Sequence, residues 1–266
     1  YSHFCLAFLT GNFYNIYNLS EIDKSHRHMG NMLTEKNYQG EKMKNKVMTA
    51  QEAVKDIRDG ATIMVGGFMA CGTPEVLIDA LVEKNVRDLT IICNDAGLPG
   101  KGVGKLLSNG QIKKLIASHV GLNPEVAKRM NTDVEADKLD CQLIPQGTLA
   151  ERIRSGGAGI GGFLTPTGVG TIVAEGKQVI NLHGRDYLLE EPLRAEFALI
   201  RASVCDEFGN ILYNGTTQNF NPIMATAADY VIVGTYEIVH TGTLDPNQVR
   251  TSGIFVDAVV GGEKTW

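Results

Sequence analysis

From residue 48 onward the apolar positions of this chain switch repeatedly between two periods. Residues 49–57 put Ala50, Ala53, Val54 and Ile57 on one face at helical spacing. After the turn Asp59-Gly60, residues 61–65 form a short apolar run with Ile63 and Val65, the mark of a buried strand. Residues 74–84 return to helical spacing, with Val76, Leu77, Ala80 and Leu81 inward. Thr73 is the expected N-cap of that helix and Pro74 its first residue. The alternation continues as strand 88–93, strand 113–118, a helix starting at Asn123-Pro124-Glu125, strand 139–144 and helix 147–154. Strands that alternate with helices of this length imply βαβ units. The predicted fold class is α/β, an open and mostly parallel sheet with helices on both faces.

Two stretches depart from the pattern. In 155–170, seven of sixteen residues are glycine, too many for the interior of a helix or strand. A flexible linker is one reading; Ile160, Phe163, Leu164 and Val169 favour a packed, ordered loop. Beyond it, strands are predicted at 179–182, 187–189, 197–202, 211–213 and 230–233, with few long helices between. This C-terminal part is richer in β structure and is expected to wrap the first half. Residues 1–42 lack any period, and their apolar piece at 4–9 is too short for a secretory signal, with no basic stretch before it. Gly40-Glu41-Lys42 can be encoded by a GGAGAA-like ribosome-binding sequence. Residues 1–42 therefore read as a non-native or disordered leader, with Met43 the natural start and 43–266 the folded domain. Mass spectrometry of natively expressed protein tests this, and a mature N-terminus well before Met43 would sink it.

Composition mainly excludes. A net charge of −5, without a Lys/Arg block, argues against nucleic acid as a partner. No run of about 18 apolar residues could span a bilayer. Five widely spaced cysteines suggest neither a disulfide framework nor a zinc ribbon, and read as buried thiols in a reducing cytoplasm. Six scattered histidines give no metal-ligand pair, so no metal site is expected.

Ligands of open α/β sheets bind beyond the carboxyl ends of the strands. That rule puts Gly66-Gly67-Phe68, Asn94-Asp95 and Pro145-Gln146-Gly147 on one rim, since each follows a strand. Strand, glycine loop and helix start together make a site for an anion or a carbonyl oxygen. The loop fits neither a dinucleotide fingerprint nor a Walker A loop. Cys71 has no visible His partner and reads as a packing residue.

The segment from Asp59 to Pro74 resembles the signature of the family I coenzyme A transferases, specifically their α subunit, most of all the acetate (butyrate)–acetoacetate type. The resemblance continues through Ile91-Ile92-Cys93-Asn94-Asp95, Ile116-Ala117-Ser118-His119, Pro145 to Arg154, Gly161 to Gly168, Ala198 to Ala202 and Asn219-Phe220-Asn221-Pro222. It covers the chain from about Met43 to near Val260. Such a resemblance implies a cytoplasmic bacterial enzyme of EC class 2.8.3, assembled from two α and two β subunits. It moves CoA between an acyl-CoA or acetoacetyl-CoA and a short carboxylic acid, with CoA as substrate and no cofactor. The nucleophilic glutamate then lies on the β subunit, since the motif that carries it is absent here. Gly66, Gly67, Phe68, Met69, Ala70, Cys71 and Gly72 are implied as the CoA-contacting loop, with Gln146 and Asn94 as supporting catalytic groups. From the residues alone, Gln146 and Asn94 read equally as turn chemistry at strand ends. A sugar-phosphate isomerase of the same layered fold would want Lys or Arg beside the glycine loop, and residues 66–74 hold neither. A binding subunit with no catalytic share is the third reading, and mixing with a β subunit discriminates it.

Overall fold

The computed structural model describes residues 45–263, all within one compact unit, Lys44–Trp266. The leader expected at 1–42 lies outside the described residues. Helices α1 (Ala50–Ala53), α2 (Glu75–Lys84), α3 (Val103–Ser108) and α4 (Pro124–Met130) alternate with strands β1 (Thr62–Val65), β2 (Leu89–Cys93), β3 (Ile112–Ala117) and β4 (Asp140–Leu143). Helix α5 (Gln146–Ala158) leads into β5 (Phe163–Thr165), β6 (Val179–Leu182) and β7 (Arg185–Glu190). Strands β8 (Ala195–Asp206) and β9 (Ile211–Leu212), helix α6 (Asn221–Met224), and strands β10 (Ala228–Val239) and β11 (Ala258–Val260) complete the order.

The main sheet runs β11-β10-β8-β1-β2-β3-β4, every neighbouring pair parallel, with β9 added antiparallel to β8. Strand alternation divides the core. Ile63 and Val65 of β1 join Leu77, Ile78 and Leu81 of α2, while Met64 joins Leu149 and Ile153 of α5 on the other face. The sheet is thus covered by helices on both faces, and order reverses where β1 meets β8.

Several expectations change. The C-terminal half does not wrap the first: β8, β10 and β11 extend the same sheet, and only β5-β7-β6 forms a separate antiparallel one. Strands β8 and β10 are each 12 residues long, about two and three times the apolar runs that announced them. Helix α1 is a single turn closed by a capping box from Thr49 and Glu52, although Val54 and Ile57 beyond it are still buried. Helix α3 was not foreseen. The glycine-rich stretch begins inside α5, because a Cβ at Gly156 would stand 1.9 Å from the Leu193 carbonyl oxygen, and one at Gly157 2.1 Å from Thr226 Oγ1. Close approach of the helix to its neighbours there requires glycine, and packing overrides the helix-breaking tendency.

Candidate active site

The loop after β1 lies at the point where strand order reverses, the usual place for a ligand crevice. Its tip is a two-residue turn, with Phe68 N–H donating to the Cys71 carbonyl at 2.9 Å and Cys71 N–H returning to Phe68 at 2.8 Å. Both central residues, Met69 (φ 49) and Ala70 (φ 63), sit in the left-handed region. Such turns ordinarily take Asn-Gly; for Met and Ala the conformation costs about 1–2 kcal/mol each. Strain of this kind persists only where the surroundings hold it.

The base of the loop is held by two asparagines at the start of α6, Asn219 just before it and Asn221 as its first residue. Asn219 Oδ1 accepts from Gly67 N–H at 3.1 Å, and its Nδ2 donates to the Cys71 carbonyl at 3.1 Å. Asn221, fully buried, accepts from Arg201 N–H at 3.0 Å and donates to the carbonyls of Gly72 at 3.0 Å and Thr217 at 2.8 Å. The loop glycines make room for these side chains. A Cβ on Gly66 would meet Asn221 Oδ1 at 1.8 Å; on Gly67 (φ 128), Thr73 Oγ1 at 2.0 Å; on Gly72 (φ 72), Asn219 Nδ2 at 2.7 Å. Thr73 is therefore not the N-cap of α2: it is buried against Gly67, and the cap is Pro74, with no side-chain bond. Of the seven loop residues implied to contact CoA, Gly66, Gly67, Ala70 and Gly72 are buried, Phe68 and Met69 are exposed, and Cys71 is half-buried. Cys71 Sγ lies 3.1 Å from Thr216 Oγ1. The space enclosed beneath the loop is ≈10 Å³, room for one water at most, so a ligand reaches the loop from outside.

Gln146 and Asn94, on separate strand ends in the sequence, meet here. Gln146 opens α5 and is exposed, and its Nε2 donates to Asn94 Oδ1 at 2.7 Å. Asn94 is 2% exposed and tied at both ends of its amide: Ser118 Oγ also donates to Oδ1 at 2.9 Å, and Nδ2 donates to Asp95 Oδ2 at 2.9 Å. Asp95 in turn accepts from Met69 N–H at 2.8 Å on Oδ2 and from Gly97 N–H at 2.9 Å on Oδ1. Hydrogen bonds therefore run unbroken from the exposed amide of Gln146 to the strained turn. Ser118, Asn219 and Asn221 have no assigned role by sequence, and Asp95 is placed there only on the rim. The run Asn219-Phe220-Asn221-Pro222, with two amides two residues apart beside a proline, was the available signal.

Three glutamates of this chain are paired away from the site. Glu190 is 1% exposed and takes Lys177 Nζ at 2.5 Å; Glu151 pairs with Arg154 at 3.1 Å; Glu207 lies 3.2 Å from His240 Nδ1. Among the described residues, no glutamate hydrogen-bonds into the Asn94–Gln146 network, and no group of His, Cys, Asp and Glu could hold a metal ion.

A cavity of ≈730 Å³ lies against α2, lined by Glu75, Asp79, Lys105, Arg201 and Glu263 among others, and by none of the rim residues. Burial pushes the Glu263 carboxyl up to about 7, with Glu75 and Asp79 adding to the effect while Val76 N–H and Arg201 oppose it. The charges there pair among themselves, with Lys105 Nζ 2.6 Å from Glu75 and Arg201 Nη1 3.8 Å from Glu263.

The chain is similar to known proteins in sequence and in fold. The family model described as Coenzyme A transferase matches residues 47–262. The acetate CoA-transferase subunit alpha of Escherichia coli (strain K12) is 52% identical over 223 residues, 84% of this chain and 100% of the relative. The acetoacetyl-CoA:acetate/butyrate CoA transferase alpha subunit of Clostridium acetobutylicum is 48% identical over 218 residues, 82% of this chain and 98% of its own length. Among solved structures, an acyl-CoA transferase apoenzyme from Escherichia coli O157:H7 superposes with TM-score 0.69 at 25% identity, over 83% of this chain. This chain spans 47% of that longer polypeptide. Glutaconate coenzyme A-transferase from Acidaminococcus fermentans, at 21% identity and TM-score 0.70 over 81% of this chain and 75% of its own, shares the fold.

Proposed function

The chain belongs to the coenzyme A transferase family, and we propose that it serves there as the α subunit of a two-subunit enzyme. The reaction moves CoA between a short-chain acyl-CoA or acetoacetyl-CoA and a free acid such as acetate, butyrate or acetoacetate. The observation that carries this reading is the Gln146–Asn94 pair, bonded at 2.7 Å beside the glycine turn. Full-length relatives whose names say alpha subunit support the subunit assignment.

In this reading a glutamate of the β subunit attacks the thioester carbonyl and expels CoA thiolate, leaving a mixed anhydride. The thiolate returns to the glutamyl carbonyl of that anhydride, releasing the first acid and leaving a glutamyl-CoA thioester. The acceptor carboxylate takes CoA by the same steps reversed. Each addition places negative charge on an oxygen, which needs preorganised donors. The exposed Gln146 amide is the donor this chain supplies, and Asn94, buried behind it, holds it in place. Phe68, Met69 and Cys71 are the loop side chains left to face CoA. No cofactor beyond substrate CoA is invoked, and the assembly is two α with two β subunits in the cytoplasm. Among the described residues no helix is long and apolar enough to cross a membrane.

The test is to express the chain with its β subunit and follow CoA transfer from acetoacetyl-CoA to acetate, assaying each chain alone as well. Activity restricted to the mixture is expected. A lone chain with full activity would move the nucleophile here and end the two-subunit reading; a silent mixture would end the choice of substrate or partner.

A further inference from the structure

The turn at Met69-Ala70 needs an external hold, because neither residue has glycine's freedom at positive φ. Phe68 and Cys71 close it with their own main chains, and Asn219 fastens its base. The bond that reaches its tip comes from Asp95. This side chain is 6% exposed and accepts three N–H groups from three places: Met69 main chain, Asn94 amide and Gly97 main chain. Two of these converge on the same oxygen, Oδ2. A carboxylate only accepts, so it can serve all three at once; an amide of the same shape turns one acceptor into a donor and sets N–H against N–H. The same carboxylate thus grips the strained turn and, through Asn94 Oδ1, the Nε2 of Gln146.

Resting on the transferase reading, we infer that Asp95 is a positioning residue, whose carboxylate locks the Met69-Ala70 turn and the Gln146 amide into one arrangement. The two halves of the site then keep their mutual geometry only while Asp95 stays an acceptor on both oxygens. Asp95 does not touch substrate; it acts through Asn94 and through the loop backbone. Donors that stabilise an oxyanion lose their effect steeply with displacement, and an error of about 1 Å can cost on the order of 10²-fold in rate.

The experiment compares wild type with Asp95→Asn in the complex with the β subunit, using acetoacetyl-CoA and acetate. The expected result is kcat lower by roughly 10–10²-fold, with KM for acetoacetyl-CoA changed by less than about threefold, because the loss falls on the transition state. Adding Ala70→Gly to Asp95→Asn is expected to recover part of kcat, since glycine takes the left-handed conformation without steric cost. A merely structural Asp95 predicts the opposite split, a lower Tm with kcat per folded complex unchanged, and that result overturns the inference. Where Asp95→Asn does not fold, Asp95→Ser, which keeps one acceptor, is judged by the same criterion. A second readout needs no turnover: hydrogen exchange at the Met69 amide should be protected in wild type and markedly faster in the variant. Equal protection overturns the inference even if the transferase reading stands, and accelerated exchange supports it even if wild type proves inactive with these substrates.

Discussion

Gly66→Ala puts a methyl carbon 1.8 Å from Asn221 Oδ1, far inside contact distance, so the Asn221 side chain must leave its place. That side chain makes three bonds to main-chain groups, from Arg201 N–H and to the carbonyls of Gly72 and Thr217, and a longer one to Asn219 Oδ1. Leaving several buried backbone groups unpaired, on top of overpacking, amounts to about 3–6 kcal/mol. Against a total stability of about 5–15 kcal/mol this is a large loss. For a domain of this size it corresponds to a fall in Tm of roughly 10 °C or more. The assay is thermal unfolding followed by circular dichroism, with transferase activity of the complex measured in parallel. Gly147→Ala is the control, since nothing lies within 4 Å of its Cβ; there the better helix former is expected to be neutral or to stabilise by up to about 1 kcal/mol. Because Gly66 and Asn221 act as a pair, the double variant Gly66→Ala/Asn221→Ala should be scarcely worse than Asn221→Ala alone. A Gly66→Ala protein with Tm within about 2 °C of wild type but no activity would refute the reasoning. The glycine would then serve the approach of a ligand and not the seating of Asn221.

Other outcomes are expected on the same grounds. Gln146→Ala should lower kcat by on the order of 10²–10³ with little change in KM, measured on the assembled complex; a change confined to KM would remove Gln146 from the oxyanion role. Glu263, with a carboxyl raised from 4.5 to about 7, holds its proton more tightly when folded, so its contribution is full below 4.5 and is lost as pH rises through 7. Urea unfolding across that window should show stability falling by up to about 3 kcal/mol from this group, and Glu263→Gln should flatten the slope; identical slopes would contradict the assignment. Burial raises the thiol pKa of Cys93 and Cys205, whereas Cys71 is only half-buried. Alkylation of native protein should therefore reach Cys71 before Cys93 or Cys205, and early labelling of Cys93 would show that the β2 end opens.

What the sequence made legible was periodic. Ile63, Val65, Leu89 and Ile91 announce strands buried on both faces, and a parallel sheet carries its rim at strand ends, which is why Asn94 and Gln146 fall on one rim by pattern alone, while their pairing is implied only by the family resemblance. Non-local causes were not legible. Gly66 and Gly72 read as bare backbone open to a ligand, because Asn221, which fills the space at Gly66, and Asn219, which fills that at Gly72, come from a distant part of the chain. Likewise Gly156 looked like the end of a helix, since the carbonyl of Leu193 that demands glycine there comes from a different part of the chain. The lengths of β8 and β10 are underread because half-buried Ser203 and exposed Glu237 interrupt the hydrophobic signal before buried Cys205 and the apolar pair Ile238-Val239.

The neighbour that β1 acquires on one side, β8, belongs to the second half of the polypeptide. Thr62 N–H bonds Glu196 across 134 residues of sequence. A ribosome adding about 5–20 residues per second needs on the order of 10 s to make that stretch. For that interval β1 can pair with β2 on one edge while its other edge waits, apolar on both faces and unprotected. The nascent N-terminal half therefore emerges as an incomplete sheet with an adhesive margin, and its safety during synthesis depends on what shields Ile63 and Val65 until residues 195–206 arrive.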